Sequence, residues 1–461
     1  MAFSALDSDL LGPLFATDAM RAAFSDRARL AAMLRAEAAL ARAQARFGIV
    51  PAALADAIDR IDAAQLDAAA LGRDTAVAGV PTIPFVKAVQ AQLPAELERS
   101  FHKAATTQDI LDTASVLQMR DGLALLSSEA CAVLGGLMRL ALEHRTTPCV
   151  GRTYGQHAAP VTFGYKAAVW CAGVADVADR LPPLRSRCLV ASLGGPVGAL
   201  GGLGDNGPAV AEAFAEELGL ASAAITWHVR RAGMVEIGMW LALLIGALAK
   251  LATDVAHLAS TEVAEAAEPY VTGRGGSSAM PHKRNPVGAT VILASHYAAN
   301  GQVSALLAAM AALHERPIGH WHAEWHALPP LFGLASGALR EARALAEGLV
   351  VDCARMRANL DATRGLLFAD AAAARLAPTL GREAAHQLVE QAAERVRSSN
   401  ATLREVLRAD QRIAAVSADE LDAAFDLTAA TAAAALWTDR AVAAAERVRA
   451  KLGEDQARAV K

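Results

Sequence analysis

LALLSSEACAVLGGLMRLAL, Leu123 to Leu142, places Leu123, Leu126, Ala130, Val133, Leu137 and Leu140 at alternating steps of three and four. On a helix that spacing aligns the six side chains in one stripe, the seam along which long helices pack at shallow angles. A second stretch, LALLIGALAKLATDVAHLA (Leu241 to Ala259), repeats the pattern with Leu241, Ile245, Leu248, Ala252, Val255 and Ala259. Alanines at several seam positions allow close helix approach. No proline falls between Pro94 and Pro148, Pro208 and Pro269, Pro286 and Pro317, or Pro330 and Pro378, and none follows Pro378. Proline breaks helix interiors, so these gaps permit very long helices. Alternating Val/Ile/Thr runs of the kind that form strands are nearly absent. The expectation is an all-α fold built around a bundle of long helices.

Outward from the seams, the chain divides into three helical regions: residues 1–112, a long-helix centre 113–355 and an Ala-rich part 356–461. Ser25 and Asp26 read as the start of a helix that runs to Phe47, with Gly48 and Pro51 as stop signals. Ser417 and Glu420 have capping-box spacing. The apolar stretch Ile237 to Ala249 is shorter than the roughly 20 residues a bilayer span needs, so it reads as a buried helix. Met239 to Leu248 is apolar around the whole circumference, which calls for cover from a second copy of the chain.

With 461 residues, 54% hydrophobic and 20% charged, the chain is globular. Its net charge, 44 − 48 = −4, offers no electrostatic footprint for nucleic acid. MAFSALDSDLLG shows no secretory signal. Five scattered cysteines without a CxxC fit reduced, buried thiols in a cytoplasm, and no membrane partner is expected. Asn400-Ala401-Thr402 matches a glycosylation sequon but reads as a helix cap.

Three polar segments interrupt this apolar chain. RGGSSAMPHKRNPV (Arg274 to Val287) joins a glycine hinge, Ser277 and Ser278, the cations Lys283 and Arg284, Asn285, and Pro286 at a helix start. Exposed N–H groups at that start, reinforced by the cations, favour a carboxylate guest. HKAATTQDILDTA (His102 to Ala114) sets His102, Thr106, Thr107 and Gln108 before a long helix, with Asp109 and Asp112 meeting its dipole. GRTYGQHAAPVTFG (Gly151 to Gly164) offers Arg152, Thr153, Tyr154, Gln156 and His157 ahead of another helix. Taken alone, the first is equally an ordinary basic turn, and the other two read more readily as an ordinary cap cluster and a capped loop. Together they point to a site for a small acid.

These segments resemble the fumarase/aspartase superfamily of β-eliminating enzymes, whose signature loop GSSAMPHKRNP (Gly276 to Pro286) matches. The resemblance runs over nearly the whole chain. It implies an all-α, three-domain fold, a homotetramer, and active sites assembled from three subunits. Within the superfamily the chain is similar to the cycloisomerase branch, in FATDAMRAAFSDRARLAAMLRAEAALARAQARFGIVP, GVPTIPFVKAV, QHAAPVTFG and HERPIGHWHAEWHALP. That implies lactonisation of 3-carboxy-cis,cis-muconate, in the protocatechuate branch of the β-ketoadipate pathway, on a small polycarboxylate and without a cofactor. By the same resemblance Ser277 transfers the proton, while Lys283 and Asn285 stabilise the charge that develops. His157 supplies a proton or binds a carboxylate. His102, Thr106, Thr107, Gln108, Arg152, Tyr154, Gln156, Ser278, Met280 and Arg316 surround the substrate.

The rival is adenylosuccinate lyase, which shares TxQDxxDTA and MPHKRNP but carries His after Arg-Thr where this chain has Tyr154. An amine leaving group needs a proton donor there; a carboxylate does not. A non-catalytic helical assembly is the other alternative, opposed by intact Ser277, Lys283 and Asn285. His320, His322, Glu324 and His326 invite a metal, but HxExH is not HExxH, and no metal site is expected. LGGPVGALGGLG (Leu193 to Gly204) lacks a preceding strand and reads as a packed loop, not a dinucleotide site.

Overall fold

Ser25 starts the first long helix by accepting the N–H of Ala28, and α1 runs over Asp26–Arg46. The structure, a computed structural model, describes residues 3–459. The central helices are α2 (Thr107–Glu143), α3 (Phe163–Ala178), α4 (Gly207–Leu218), α5 (Ala232–Leu258), α6 (Val287–Ala309) and α7 (His320–Gly348). Short helices follow, and α8 (Leu427–Ala459) ends the described chain. The fold is all-α, with two small two-stranded sheets.

Both seams lie inside. Leu123, Leu126, Ala130, Val133, Leu137 and Leu140 of α2 are buried, as are Leu241, Ile245, Leu248, Ala252 and Val255 of α5. Ala259, the last seam position, is half-buried at the end of α5. Glycines allow close approach where no Cβ fits. A Cβ on Gly136 would lie 2.9 Å from Ala346, and one on Gly238 would lie 2.3 Å from Leu306. Both α2 and α5 are long and apolar enough to cross a membrane, and 56% of each apolar window is buried within the chain. The stretch Ile237 to Ala249 is thus part of a longer helix than its apolar run suggests.

Packing does not follow chain order. Leu203, Val210 and Phe214 of the α4 region join the N-terminal core around Leu40, Leu54 and Phe85. The terminal helix α8 places Ala445 and Leu452 in the central core, while a separate core gathers Leu376, Leu388, Leu403 and Leu421.

Three local readings change. The segment after Thr147 forms a hairpin, β1 (Pro148–Thr153) against β2 (Gln156–Thr162), where a loop was expected. Tyr154 (φ +50°) and Gly155 (φ +76°) form its two-residue turn, the positive-φ geometry that matches strand twist. Helix α7 starts ten residues before Pro330 and runs through Pro329 and Pro330. Their missing N–H donors leave the carbonyls of Trp325 and His326 without the usual helical partner. Of the cysteines, Cys149, Cys171 and Cys188 are buried, but Cys353 is exposed and Cys131 half-buried. Caps at Ser417 and Thr402 form as read, each completed by a glutamate three residues on.

Candidate active site

The bundle has two polar ends. At ~1.5 Å per residue, α2 alone separates them by about 55 Å.

At the first end, Asp109 in the opening turn of α2 organises the backbone. Its carboxylate accepts the N–H groups of Thr106 (2.9 Å), Gly194 (2.7 Å) and Gly195 (2.9 Å), and lies 2.6 Å from Nε2 of buried His228. This ties the glycine-rich loop, expected to be packed, against the Thr106 turn. Arg316 arrives from beyond α6 and donates to Thr106 Oγ1 (3.0 Å) and the Pro196 carbonyl (3.2 Å). His102 faces the same region with Nδ1 2.6 Å from Glu37. Burial alone would lower the His102 pKa; Glu37, aided by Asp109, reverses this and holds it above the ordinary histidine range. Thr106 and Thr107 are half-buried.

Gln108 departs from its expected place among the substrate ligands. It is completely buried, donating to Asp112 (3.2 Å) and to the His228 carbonyl (2.8 Å). Asp112 in turn accepts both Nη groups of buried Arg231 and the indole N–H of Trp321. Arg231 also grips Glu324, so that carboxylate of the HxExH stretch serves an internal ion pair.

At the second end stand the hairpin and the serine loop. Tyr154, Gln156 and His157 are exposed on the hairpin tip. Burial and the neighbouring Arg152 charge push the His157 pKa down, favouring neutral imidazole. Arg152 differs from expectation. It makes a bidentate ion pair with buried Glu265, at 2.9 and 2.5 Å, so both guanidinium prongs already hold a carboxylate of this chain. Asn359 adds a 2.8 Å hydrogen bond to Glu265.

The serine loop leaves the bundle at Gly273 (φ +82°) and Gly275 (φ +67°) and returns at Asn285, whose N–H donates to the Gly275 carbonyl (2.9 Å). Ser277 Oγ accepts the Met280 N–H at 3.2 Å. Ser278, Met280, Lys283 and Asn285 are exposed. Lys283 and Asn285 make no side-chain hydrogen bond or ion pair among the described residues. The helix start expected to hold a substrate anion is already occupied. Glu268 accepts the N–H groups of Gly288 (2.9 Å) and Ala289 (2.8 Å) at the head of α6. Arg274 pairs with Glu341, and Arg284 stacks 5.0 Å over the Tyr270 ring.

The chain thus gathers His102, Thr106, Thr107 and Arg316 at one end. Arg152, Tyr154, Gln156, His157, Ser277, Ser278, Met280, Lys283 and Asn285 lie at the other. No hydrogen bond or ion pair among the described residues links the His102 segment, the hairpin and the serine loop. Sequence reading missed Glu37, Glu265 and Glu268. Each lies far in sequence from its partner or outside the three polar segments, and only tertiary structure pairs them.

Comparison with known proteins identifies the family. The family described as "Lyase" matches residues 14–300, and that described as "Adenylosuccinate lyase C-terminus" matches residues 365–441. A 3-carboxy-cis,cis-muconate cycloisomerase of Pseudomonas aeruginosa is 46% identical, covering 95% of this chain and 96% of the relative. A nitrosuccinate lyase of Streptomyces davaonensis is 42% identical, covering 96% of each. The solved structure of 3-carboxy-cis,cis-muconate lactonizing enzyme from Pseudomonas putida superposes with a TM-score of 0.92 at 44% identity, over 96% of this chain and 100% of that one. This chain belongs to the fumarase/aspartase superfamily of lyases, in the family of the 3-carboxy-cis,cis-muconate cycloisomerases.

Proposed function

We propose that the protein is a cytoplasmic cycloisomerase that closes 3-carboxy-cis,cis-muconate to 4-carboxymuconolactone. A substrate carboxylate oxygen adds to a carbon of the conjugated diene, forming the C–O bond of a five-membered lactone. The alkene electron pair moves to the adjacent carbon and delocalises into its carboxylate. A proton then bonds to that carbon. One proton is taken up for each lactone formed, and no atom leaves.

The observation that carries this reading is the state of Ser277. Its Oγ already accepts the Met280 N–H, and its O–H donates to no acceptor among the described residues, which leaves that proton free for transfer. The free ammonium of Lys283 and the Asn285 amide supply charge stabilisation that strengthens as the aci-carboxylate forms. Tyr154 stands where an amine-expelling lyase needs an acid, and lactonisation does not require one. Because attack is intramolecular, holding the folded diene in a reactive conformer is the main binding task.

The site residues come from different copies of a homotetramer. The 55 Å length of α2, about 1.5 Å per residue, supports this, because one chain cannot close the gap between His102 and Ser277. Exposed Met239 and Leu243 on α5, with Leu307 on α6 and Met310 just beyond its end, give an apolar surface for that assembly. The test is a pH-stat assay with 3-carboxymuconate. Wild type takes up one proton per diene lost, whereas a Ser277→Ala tetramer of unchanged size takes up almost none. Near-normal uptake by Ser277→Ala would remove the serine from this role.

A further inference from the structure

Helix α1 buries a face of alanine, leucine and methionine, with two exceptions. Glu37 and Gln44 are each 1% exposed and lie seven residues apart on the same side. Both contact one tripeptide. Glu37 Oε1 lies 2.6 Å from His102 Nδ1, and Gln44 Nε2 donates to the Lys103 carbonyl at 2.7 Å. That tripeptide is held in an unusual backbone, with φ +54° at His102 and +60° at Ala104. A buried carboxylate is costly without a cation or strong donor beside it, and His102 supplies that donor. The other imidazole nitrogen, Nε2, has no protein partner among the described residues.

We infer that Glu37 is the positioning residue of the substrate site: it fixes the His102 ring and directs an Nε2 proton toward a substrate carboxylate beside Thr106 and Arg316. The inference deepens the proposed function and rests on that reading for the identity of the acid. The geometry assigns Nδ1–H to Glu37, so the imidazolium offers Nε2–H as a charge-assisted donor. Other charged groups at this turn are already engaged. Asp109, on α2, is held by His228 and two loop amides. The Lys103 ammonium donates to the Ile49 carbonyl, and Arg316 donates to Thr106.

The sign of the pH dependence follows. Burial disfavours the His102 cation, and Glu37 with Asp109 outweighs it, so the cation persists to higher pH than in an ordinary histidine. Carboxylate binding through His102 is therefore fully present below the ordinary histidine pKa and is lost as pH rises through the raised value. Glu37→Gln keeps the side-chain volume, removes the charge and leaves the burial, so the midpoint falls.

The test is calorimetric titration of the assembled enzyme with tricarballylate, an unreactive tricarboxylate, from pH 5.5 to 8.5, beside KM and kcat for 3-carboxymuconate. E37Q is expected to bind ~10-fold more weakly at pH 7.5, the size of effect that loss of one charge-assisted hydrogen bond gives, and to recover at pH 5.5. KM rises in parallel while kcat stays within about twofold, as for loss of uniform binding. In an H102Q background the E37Q substitution adds nothing. Equal weakening of E37Q at every pH, unchanged affinity, or an undiminished effect in H102Q would each overturn the inference. Should E37Q fail to assemble, Glu37→Asp, which keeps the charge but retracts it, must give an intermediate midpoint; a wild-type midpoint would contradict the role. Tricarballylate binding with the predicted shift but no muconate turnover would fail the substrate reading and leave this inference standing.

Discussion

Arg152 and Glu265 join the hairpin to the segment just beyond α5 through two parallel hydrogen bonds, and the Glu265 carboxylate is fully buried. A paired guanidinium on the hairpin is a structural strut. It fixes the base from which Tyr154, Gln156 and His157 project.

Glu265→Ala should therefore destabilise the fold by about 3 kcal/mol, the cost of leaving a buried partner charge uncompensated. Burial pushes the Glu265 pKa up, but the bonds from Arg152 and Asn359 outweigh it and hold it below the ordinary carboxylate range. A depressed carboxylate stabilises the fold above its unfolded pKa and loses that contribution as pH falls through the folded value. Urea unfolding from pH 7 to pH 3 should show an acid-dependent loss in wild type that is smaller in Glu265→Gln. Parallel curves for the two proteins would show that the pair contributes nothing.

Glu268 gives the second prediction. It closes the head of α6 directly after the serine loop, accepting from Gly288 and Ala289. Glu268→Ala should cost about 1–2 kcal/mol, as for loss of a helix cap, and should lower kcat more than it raises KM, because Lys283 and Asn285 lose their downstream anchor. Thermal unfolding and steady-state kinetics measure the two effects separately.

Much of the framework was legible because periodicity is a local signal. The Leu123 and Leu241 seams, the Ser25 start and the Ser417 capping box depend on residues within a few turns of one another. The hairpin escaped because its turn is Tyr154-Gly155, without the Asn-Gly or Asp-Gly that marks such turns, and its strands carry few alternating apolar residues. Pro329 and Pro330 misled in the opposite sense: helix packing along α7 overrides their local breaking tendency. The polar segments announced themselves, but not which of their groups were already used. Arg152, Gln108 and the head of α6 are satisfied by Glu265, Asp112 and Glu268, choices made by tertiary structure.

The proposed assembly of the site from several copies makes a third prediction. Assayed well below the wild-type KM, where lost binding lowers the rate, His102→Gln and Ser277→Ala tetramers should each be strongly impaired, yet mixing, dissociating and reassembling them should restore activity. Random reassembly gives about a quarter of sites with both residues intact when each site draws them from different subunits. Activity measured after reassembly that stays at the level of the parents would place both residues in one chain's own site.

The central claim is tested most directly by following the ultraviolet absorbance of the diene when purified enzyme meets 3-carboxy-cis,cis-muconate, with adenylosuccinate and nitrosuccinate as parallel controls. The account predicts rapid loss of the diene band, reduced ~10²–10⁴-fold by Ser277→Ala, and no cleavage of either control. A stable muconate spectrum with fumarate released from a control would contradict it.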